Sequence, residues 1–174
     1  CARVCHSPTA WGMQQSFGTG AGTNSAFDIP LADCMIIIGA NPTAAHPVTG
    51  AKIKQQAMSG ATLIVIDPVR TELARMADYH LQLKPGTNVA VLNMIQYFIV
   101  EAGLIDHEFI KERCEGGEEF IEKIKDPSFN YKLKKSIYPI MGRLRSKRIP
   151  TFITKKNIFF DASINFYFLS KKET

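Results

Sequence analysis

Residues 34–38, CMIII, and 62–66, TLIVI, are apolar runs rich in β-branched side chains. Each is too short for a helix, and each is halted by a breaker: Gly39 in the first case and Asp67-Pro68 in the second. Runs of this kind predict buried strands. Between them GANPT supplies a Gly, an Asn-Pro step and a Thr, which predict a turn and a helix N-cap. A helix is expected from there to about Met58, with Val48, Ala51, Ile53, Ala57 and Met58 near one side and Ser59-Gly60 ending it. Strand, turn, helix and strand in series predict a parallel crossover of right-handed sense.

The pattern continues past Asp67. TELARMA reads as a short helix and HLQL as a third short strand. Pro85-Gly86-Thr87-Asn88 then makes a turn that opens a longer helix through about Ala102, carrying Val89, Leu92, Ile95 and Ile99. Gly103 closes that helix, and Asp106 caps another, HEFIKERCE. The alternation predicts an α/β fold with a doubly wound, mostly parallel sheet of the dinucleotide-binding kind. No internal repeat is visible.

Composition divides the chain. The 174 residues are enough for one domain with a real core, and the 45% hydrophobic content fits an α/β protein. No apolar stretch is long enough to predict a membrane span. Residues 1–125 hold 10 Lys and Arg against 13 Asp and Glu, net −3, whereas residues 126–174 hold 11 against 3, net +8. The basic character therefore belongs to the tail, which is rich in Lys, Ile, Phe, Asn and Tyr and has no clear amphipathic period. KLKK and RLRSKR, interleaved with Phe and Tyr, admit a nucleic-acid reading, but no recognised binding motif accompanies them and a solvated segment explains them more simply. No nucleic-acid partner is expected. Two regions follow, an α/β domain over 1–125 and a divergent tail over 126–174, the latter disordered or the product of a frameshift. Cys1 is not an initiator Met and no targeting signal precedes it, so the start reads as the cut edge of something longer.

Cysteines stand at 1, 5, 34 and 114 with no CxxC pair, which excludes a ribbon-type zinc site and makes a disulfide framework improbable. Cys34 leads an apolar run and reads as a small buried hydrophobe, and Cys114 as a bystander in a charged helix. Cys5 differs, because His6 follows it directly. A soft thiolate suits a soft or high-valent metal, and an imidazole moves protons near neutral pH. For an arbitrary Cys-His pair, a buried Cys beside an ordinary His is the commoner reading.

Three loops at strand ends could meet a nucleotide. GANPTAAH, residues 39–46, follows a strand and opens a helix, where exposed N–H groups and the helix dipole favour a pyrophosphate; a plain connecting turn is the alternative. Asp67 ends the second strand, where an acidic residue commonly meets a ribose hydroxyl, or else caps the helix after it. Gly86-Thr87-Asn88 follows the third. The glycines of SFGTGAGTNS (Gly18, Gly20 and Gly22) fit a tight surface loop as well as a close approach to a ligand.

CARVCHSPT, SFGTGAGTNSAFDI, IIIGANPTAAHP, LIVIDPVRTELARMAD and LQLKPGTNVAVLN together resemble an internal piece of the molybdenum- or tungsten-dependent formate dehydrogenases, within the molybdopterin oxidoreductases. The resemblance covers residues 1–125. It implies that Cys5 ligates the metal and that His6 accepts the proton released as formate becomes CO2. It further implies contacts from Gly39, Asn41, His46, Asp67, Pro68, Arg70, Thr71, Gly86, Thr87 and Asn88 to one dinucleotide of a bis(molybdopterin guanine dinucleotide) cofactor. Val69 stands where the family usually has Arg, and Asn88 where many relatives have Asp. A 4Fe-4S cluster is implied for the parent protein, with ligands that would lie before Cys1, and electron-transfer subunits or iron–sulfur proteins are the implied partners. By the same resemblance the chain on its own is not a working enzyme, and cytoplasm is the expected compartment. Nitrate reductases of the family commonly carry Met after the equivalent Cys, so His6 directs the reading to formate. A non-catalytic nucleotide-binding remnant is the rival from another class.

Overall fold

The computed structural model describes residues 6–22, 24–126 and 158–162. Within them lie two units, residues 6–82 with 158–162, and residues 83–126. Both basic clusters of the tail, and Cys5 itself, lie outside the described residues.

In the first unit, α1 (Ser7–Phe17) precedes a 3-10 turn at Ile29–Leu31 and strand β1 (Cys34–Ile38). A single turn, α2 (Pro42–Ala45), leads directly into α3 (Pro47–Met58) and strand β2 (Thr62–Ile66). The short α4 (Glu72–Met76) and β3 (Tyr79–Leu81) follow, and β4 (Ile158–Ala162) completes the sheet. All pairings are parallel, in the order β3-β2-β1-β4, with Cys34 opposite both Thr62 and Ile158. The doubly wound, parallel expectation is met. The sheet also extends beyond residue 125, because Ile158–Ala162 pairs along the whole of β1.

Both predicted apolar runs form strands over their full length. Met35, Ile37, Leu63 and Val65 are wholly buried, and they share one core with Ile29, Ile53 and Leu73. Cys34 is buried with them. This is the side-chain behaviour of parallel strands, which are covered on both faces and read as continuous apolar runs. The helix expected after GANPT departs from prediction. It is split at His46, which ends α2 and caps α3, since Pro47 has no N–H to bond back into the preceding turn. Of the apolar side expected for it, Ile53 is fully buried, whereas Val48 and Met58 are about three-quarters exposed, at 73% and 75%.

Gly50 makes the break between α2 and α3 compact. A Cβ added there would lie 2.8 Å from Thr43 Cα and 2.9 Å from Thr43 N, both backbone atoms that cannot swing aside. The short helix α4 is held at its start by Thr71, whose Oγ1 accepts the Ala74 N–H at 3.2 Å. The Lys54 ammonium lies 2.5 Å from a Glu72 oxygen and ties α3 to α4. Its hydrogen bond and charge hold the Glu72 carboxyl below the usual carboxylate range. A folded-state value lowered in this way keeps the tie intact at neutral pH, and the tie is lost as pH falls through the lowered value.

In the second unit, α5 (Asn88–Glu101), α6 (His107–Arg113) and α7 (Gly117–Lys125) form a helical group. Val91 and Met94 of α5 and Ile121 and Ile124 of α7 are its buried apolar residues, while Val89 at the start of α5 is exposed. Asp106 caps α6 as expected, its Oδ1 accepting the Phe109 N–H at 2.9 Å. Among the described residues no helix is long and apolar enough to cross a membrane.

Two substitutions test these local supports. Gly50→Ala is expected to destabilise the protein by about 1–3 kcal/mol, because the clash with backbone outweighs the gain in helix propensity. Thr71→Ala is expected to cost about 1 kcal/mol through loss of the cap. Urea unfolding followed by circular dichroism reads both, and an unchanged midpoint for Gly50→Ala would contradict the close packing of α2 on α3.

Candidate functional site

Chain order and strand order together mark a candidate site. From β1 the chain steps outward to β2 and β3, then returns to the opposite side of β1 as β4. Connections therefore diverge between β1 and β4, and in open α/β sheets ligands bind in the crevice outside the carboxyl ends of the strands at such a point. Residues 39–46 leave the carboxyl end of β1, and residues 67–71 leave that of β2 beside it.

Gly39 turns the chain out of β1 with φ +58, a left-handed conformation that a side chain would strain, and a Cβ there would meet open space. Its N–H donates to Ile66 O at 2.9 Å, joining the two strand ends. The N–H groups of Ala40 and Asn41 make no hydrogen bond to the described residues. Asn41 is exposed, and its Oδ1 accepts the Thr43 hydroxyl at 2.9 Å. The helix that opens after Asn41 is a single turn, α2, rather than the longer helix predicted. Pro42 and Pro47 occupy first-turn positions of α2 and α3, so each helix start lacks one of the N–H donors it would otherwise offer. His46 is exposed between them.

The acidic loop is built more tightly. Asp67 is buried, at 8% exposure, and its Oδ1 accepts the Val69 N–H at 2.6 Å. Its N–H donates to Leu81 O at 3.2 Å, which extends the ladder one step beyond the strand. Asp67 does not cap α4; Thr71 does, so the Thr71 hydroxyl is committed to the helix rather than turned outward. Pro68 is half-buried, and Val69 and Arg70 are exposed at the surface of the loop.

His6 caps the start of α1. It is exposed, its carbonyl accepts the Ala10 N–H at 2.9 Å, and its imidazole makes no cap bond to the helix. The helix ends at Gly18, left-handed with φ +71, whose N–H donates to Gln14 O. The glycine-rich segment comes next, and Gly20 lies against Ala10, where a Cβ would sit 3.4 Å from the Ala10 carbonyl oxygen. Asn24 carries a buried Nδ2 with no hydrogen-bond partner among the described residues. Sequence reasoning passed over Asn24, and the only signal for it was its place at the end of the glycine-rich segment.

Within the second unit, Gly86 is left-handed with φ +84, and Thr87 both donates its hydroxyl to Lys84 O at 2.6 Å and precedes α5. Asn88 is the exposed first residue of that helix. First-unit geometry thus unites Gly39, Asn41, His46, Asp67, Pro68, Arg70 and Thr71 along two adjoining strand ends. The turn at Gly86, Thr87 and Asn88 belongs to the other unit, and Cys5 lies outside the described residues.

Comparison with known proteins agrees with this fold. The family model for the molybdopterin oxidoreductases matches residues 1–164. The chain is 48% identical over 134 residues to the F420-dependent formate dehydrogenase subunit alpha of Methanocaldococcus jannaschii, covering 77% of this chain and 20% of that protein. It is 41% identical over 120 residues to formate dehydrogenase H of Escherichia coli, covering 69% and 17% respectively. Among solved structures, acetylene hydratase from Pelobacter acetylenicus superposes with a TM-score of 0.74 at 27% identity, over 94% of this chain and 22% of that one. The chain thus spans about a fifth of the length of the relatives it matches. A parallel sheet of this order, a metal-suited Cys-His pair ahead of α1 and a family match over nearly the whole length have one reading: the chain belongs to the molybdopterin oxidoreductase family, which implies a molybdenum or tungsten pterin cofactor.

Proposed function

We propose that the chain supplies the metal-proximal and dinucleotide-binding part of a formate dehydrogenase catalytic subunit, which oxidises formate to CO2 or runs in reverse. The observation that carries this reading is the Cys5-His6 pair within a chain 48% identical to a formate dehydrogenase alpha subunit.

Three features of the structure fit a pterin dinucleotide. Asn24 Nδ2 is a buried donor without an acceptor among the described residues, and such a group costs about 1–3 kcal/mol unless something pairs with it. Left-handed Gly39 opens space beside the unpaired N–H groups of Ala40 and Asn41, which suit an anionic or carbonyl oxygen. Asp67 engages its Oδ1 internally, and its other carboxylate oxygen makes no bond to the described residues, so it suits a ribose hydroxyl. On this reading Gly39, Asn41 and His46 lie along the pyrophosphate, and Asp67, Pro68, Arg70 and Thr71 along the nucleoside. Gly86, Thr87 and Asn88 meet the base. The dinucleotide is a guanine one, part of a bis(molybdopterin guanine dinucleotide).

When bound, the cofactor supplies a two-electron acceptor. Formate then loses two electrons and one proton to become CO2. The Cys5 thiolate serves as the protein's ligand to the metal, where a soft, electron-rich donor suits a high-valent ion. His6 adjoins it in the chain, and its exposed imidazole takes the proton and passes it to solvent. Electrons leave through iron–sulfur proteins or electron-transfer subunits, and the parent's own 4Fe-4S cluster belongs to this proposal. A cytoplasmic location is proposed with it.

Two measurements test the reading. In a catalytic subunit carrying this segment, Cys5→Ala is expected to lose bound metal and formate oxidation together; nitrate reduction without formate oxidation in the unsubstituted protein would overturn the proposal. On the purified chain, Asp67→Asn keeps an oxygen for the Val69 N–H and removes the charge. It is expected to weaken GDP binding about tenfold, the scale of a charge-assisted hydrogen bond. Titration calorimetry reads the change, and equal affinity would remove Asp67 from the nucleotide site.

A further inference from the structure

The acidic loop after β2 is held from the side by the edge strand. His80 lies in β3, opposite Val65 of β2, and its Nε2 is 3.0 Å from the backbone oxygen of Asp67. A carbonyl oxygen only accepts, so this ring nitrogen carries the proton and donates. Two residues on, the Gln82 Nε2 donates to the backbone oxygen of Pro68 at 2.9 Å. Positions i and i+2 of an extended chain point to the same side, so successive carbonyls of the loop meet His80 of β3 and Gln82 just past its end. The Asp67 N–H, bonded to Leu81 O, supplies a third tie to the same strand.

We infer that His80 and Gln82 are positioning residues for the nucleotide site, acting as a two-point clamp that sets the direction of the Asp67 carboxylate. The inference rests on the reading of the 67–71 loop as a nucleotide-binding loop and assigns to that loop two residues outside it. The chemistry follows from where the bonds fall. Beyond the last ladder bond the loop has no strand partner, and Pro68 brings no N–H of its own. Its carbonyls would otherwise turn toward water and carry the peptide planes with them. Fixing both planes fixes the Cα–Cβ direction of Asp67 and, through Oδ1, the position of the Val69 N–H. A preset carboxylate binds a ribose hydroxyl without first paying to order the loop. Neither side chain needs to touch the ligand.

The test uses the purified chain, with GDP as the probe and amide hydrogen exchange as a second readout. In His80→Leu combined with Gln82→Met, both donors are removed with volume largely kept. GDP affinity is expected to fall about tenfold, as for loss of preorganisation at one anchoring contact. Exchange of the Val69 amide is expected to rise by about tenfold or more. His80→Gln, which restores an N–H donor of similar reach, should recover affinity to within about twofold of the unsubstituted chain. A merely structural role would lower the melting temperature without this rescue pattern, so melting curves accompany each variant. Unchanged GDP affinity and unchanged Val69 exchange in the double variant would overturn the clamp. Absence of GDP binding by the unsubstituted chain would overturn the nucleotide-loop reading instead, and the Val69 exchange would then still decide whether β3 holds the loop.

Discussion

Burial of β1 between two parallel neighbours is the constraint on which the rest depends. Cys34 to Ile38 pair with β2 on one side and β4 on the other, and Met35 and Ile37 are wholly removed from water. Parallel strands cannot be joined by tight hairpins, so each connection must leave at a carboxyl end and travel back over the sheet. Backbone groups that the ladder does not use therefore collect along one edge. Because β4 returns to the far side of β1, that edge carries its divergence next to Gly39, where a ligand can reach strand-end backbone without disturbing the core.

Two neighbouring loops meet this edge in different ways. The loop after β2 is largely tied down: the Asp67 N–H and carbonyl, the Pro68 carbonyl and the Thr71 hydroxyl have partners on β3, at Gln82 just past it, or on α4. The loop after β1 keeps the N–H groups of Ala40 and Asn41 without partners among the described residues. A rigid loop beside one with unspent N–H groups is a workable division. The first presents a fixed carboxylate, and the second offers hydrogen bonds that a ligand must supply acceptors to complete. Gly50 belongs to the same arrangement at one remove, since α3 can approach Thr43 only where no Cβ intervenes.

Much of this was legible in the sequence. CMIII and TLIVI became strands over their full predicted length because β-branched apolar runs bounded by Gly or Asp-Pro have few other uses in a soluble core. Asp106 as a helix cap and the turn at Pro85-Gly86 were equally plain, because those residues act on their own backbone neighbourhood. The break at Pro47 was readable and outweighed by the apolar spacing around it. Helix α1 gave little warning, since Met13 is its only buried residue. Strand β4 depends on pairing with a segment more than a hundred residues earlier, which local composition in a Lys-rich stretch does not reveal. At the site, Gly39 and Asp67 were legible as a strand-ending turn and a strand-end acid. His80 and Gln82 were not, because they act through the carbonyls of other residues, and Asn24 was missed because an absent partner leaves no trace in a pattern.

The two prolines change what the proposed pyrophosphate would meet. Helix starts ordinarily offer unpaired N–H groups and the positive end of a dipole, but Pro42 lacks an N–H and sits on a single turn, and Pro47 lacks one at the head of α3. Their fixed φ angles give the loop a preset path at little conformational cost. Anion stabilisation then draws on the N–H groups of Ala40 and Asn41, on the first-turn N–H groups that remain beside each proline, and on fixed charge. Arg70 is the one full cation within residues 39–46 and 67–71, and it is exposed beside an apolar Val69. An exposed guanidinium works through water and salt, so its contribution is modest and falls with ionic strength. On the proposed reading, the grip of this unit on a dinucleotide would be set more by backbone direction and the buried Asp67 than by charge, and that is the reason the strand holding Asp67 in place matters as much as the loop that contains it.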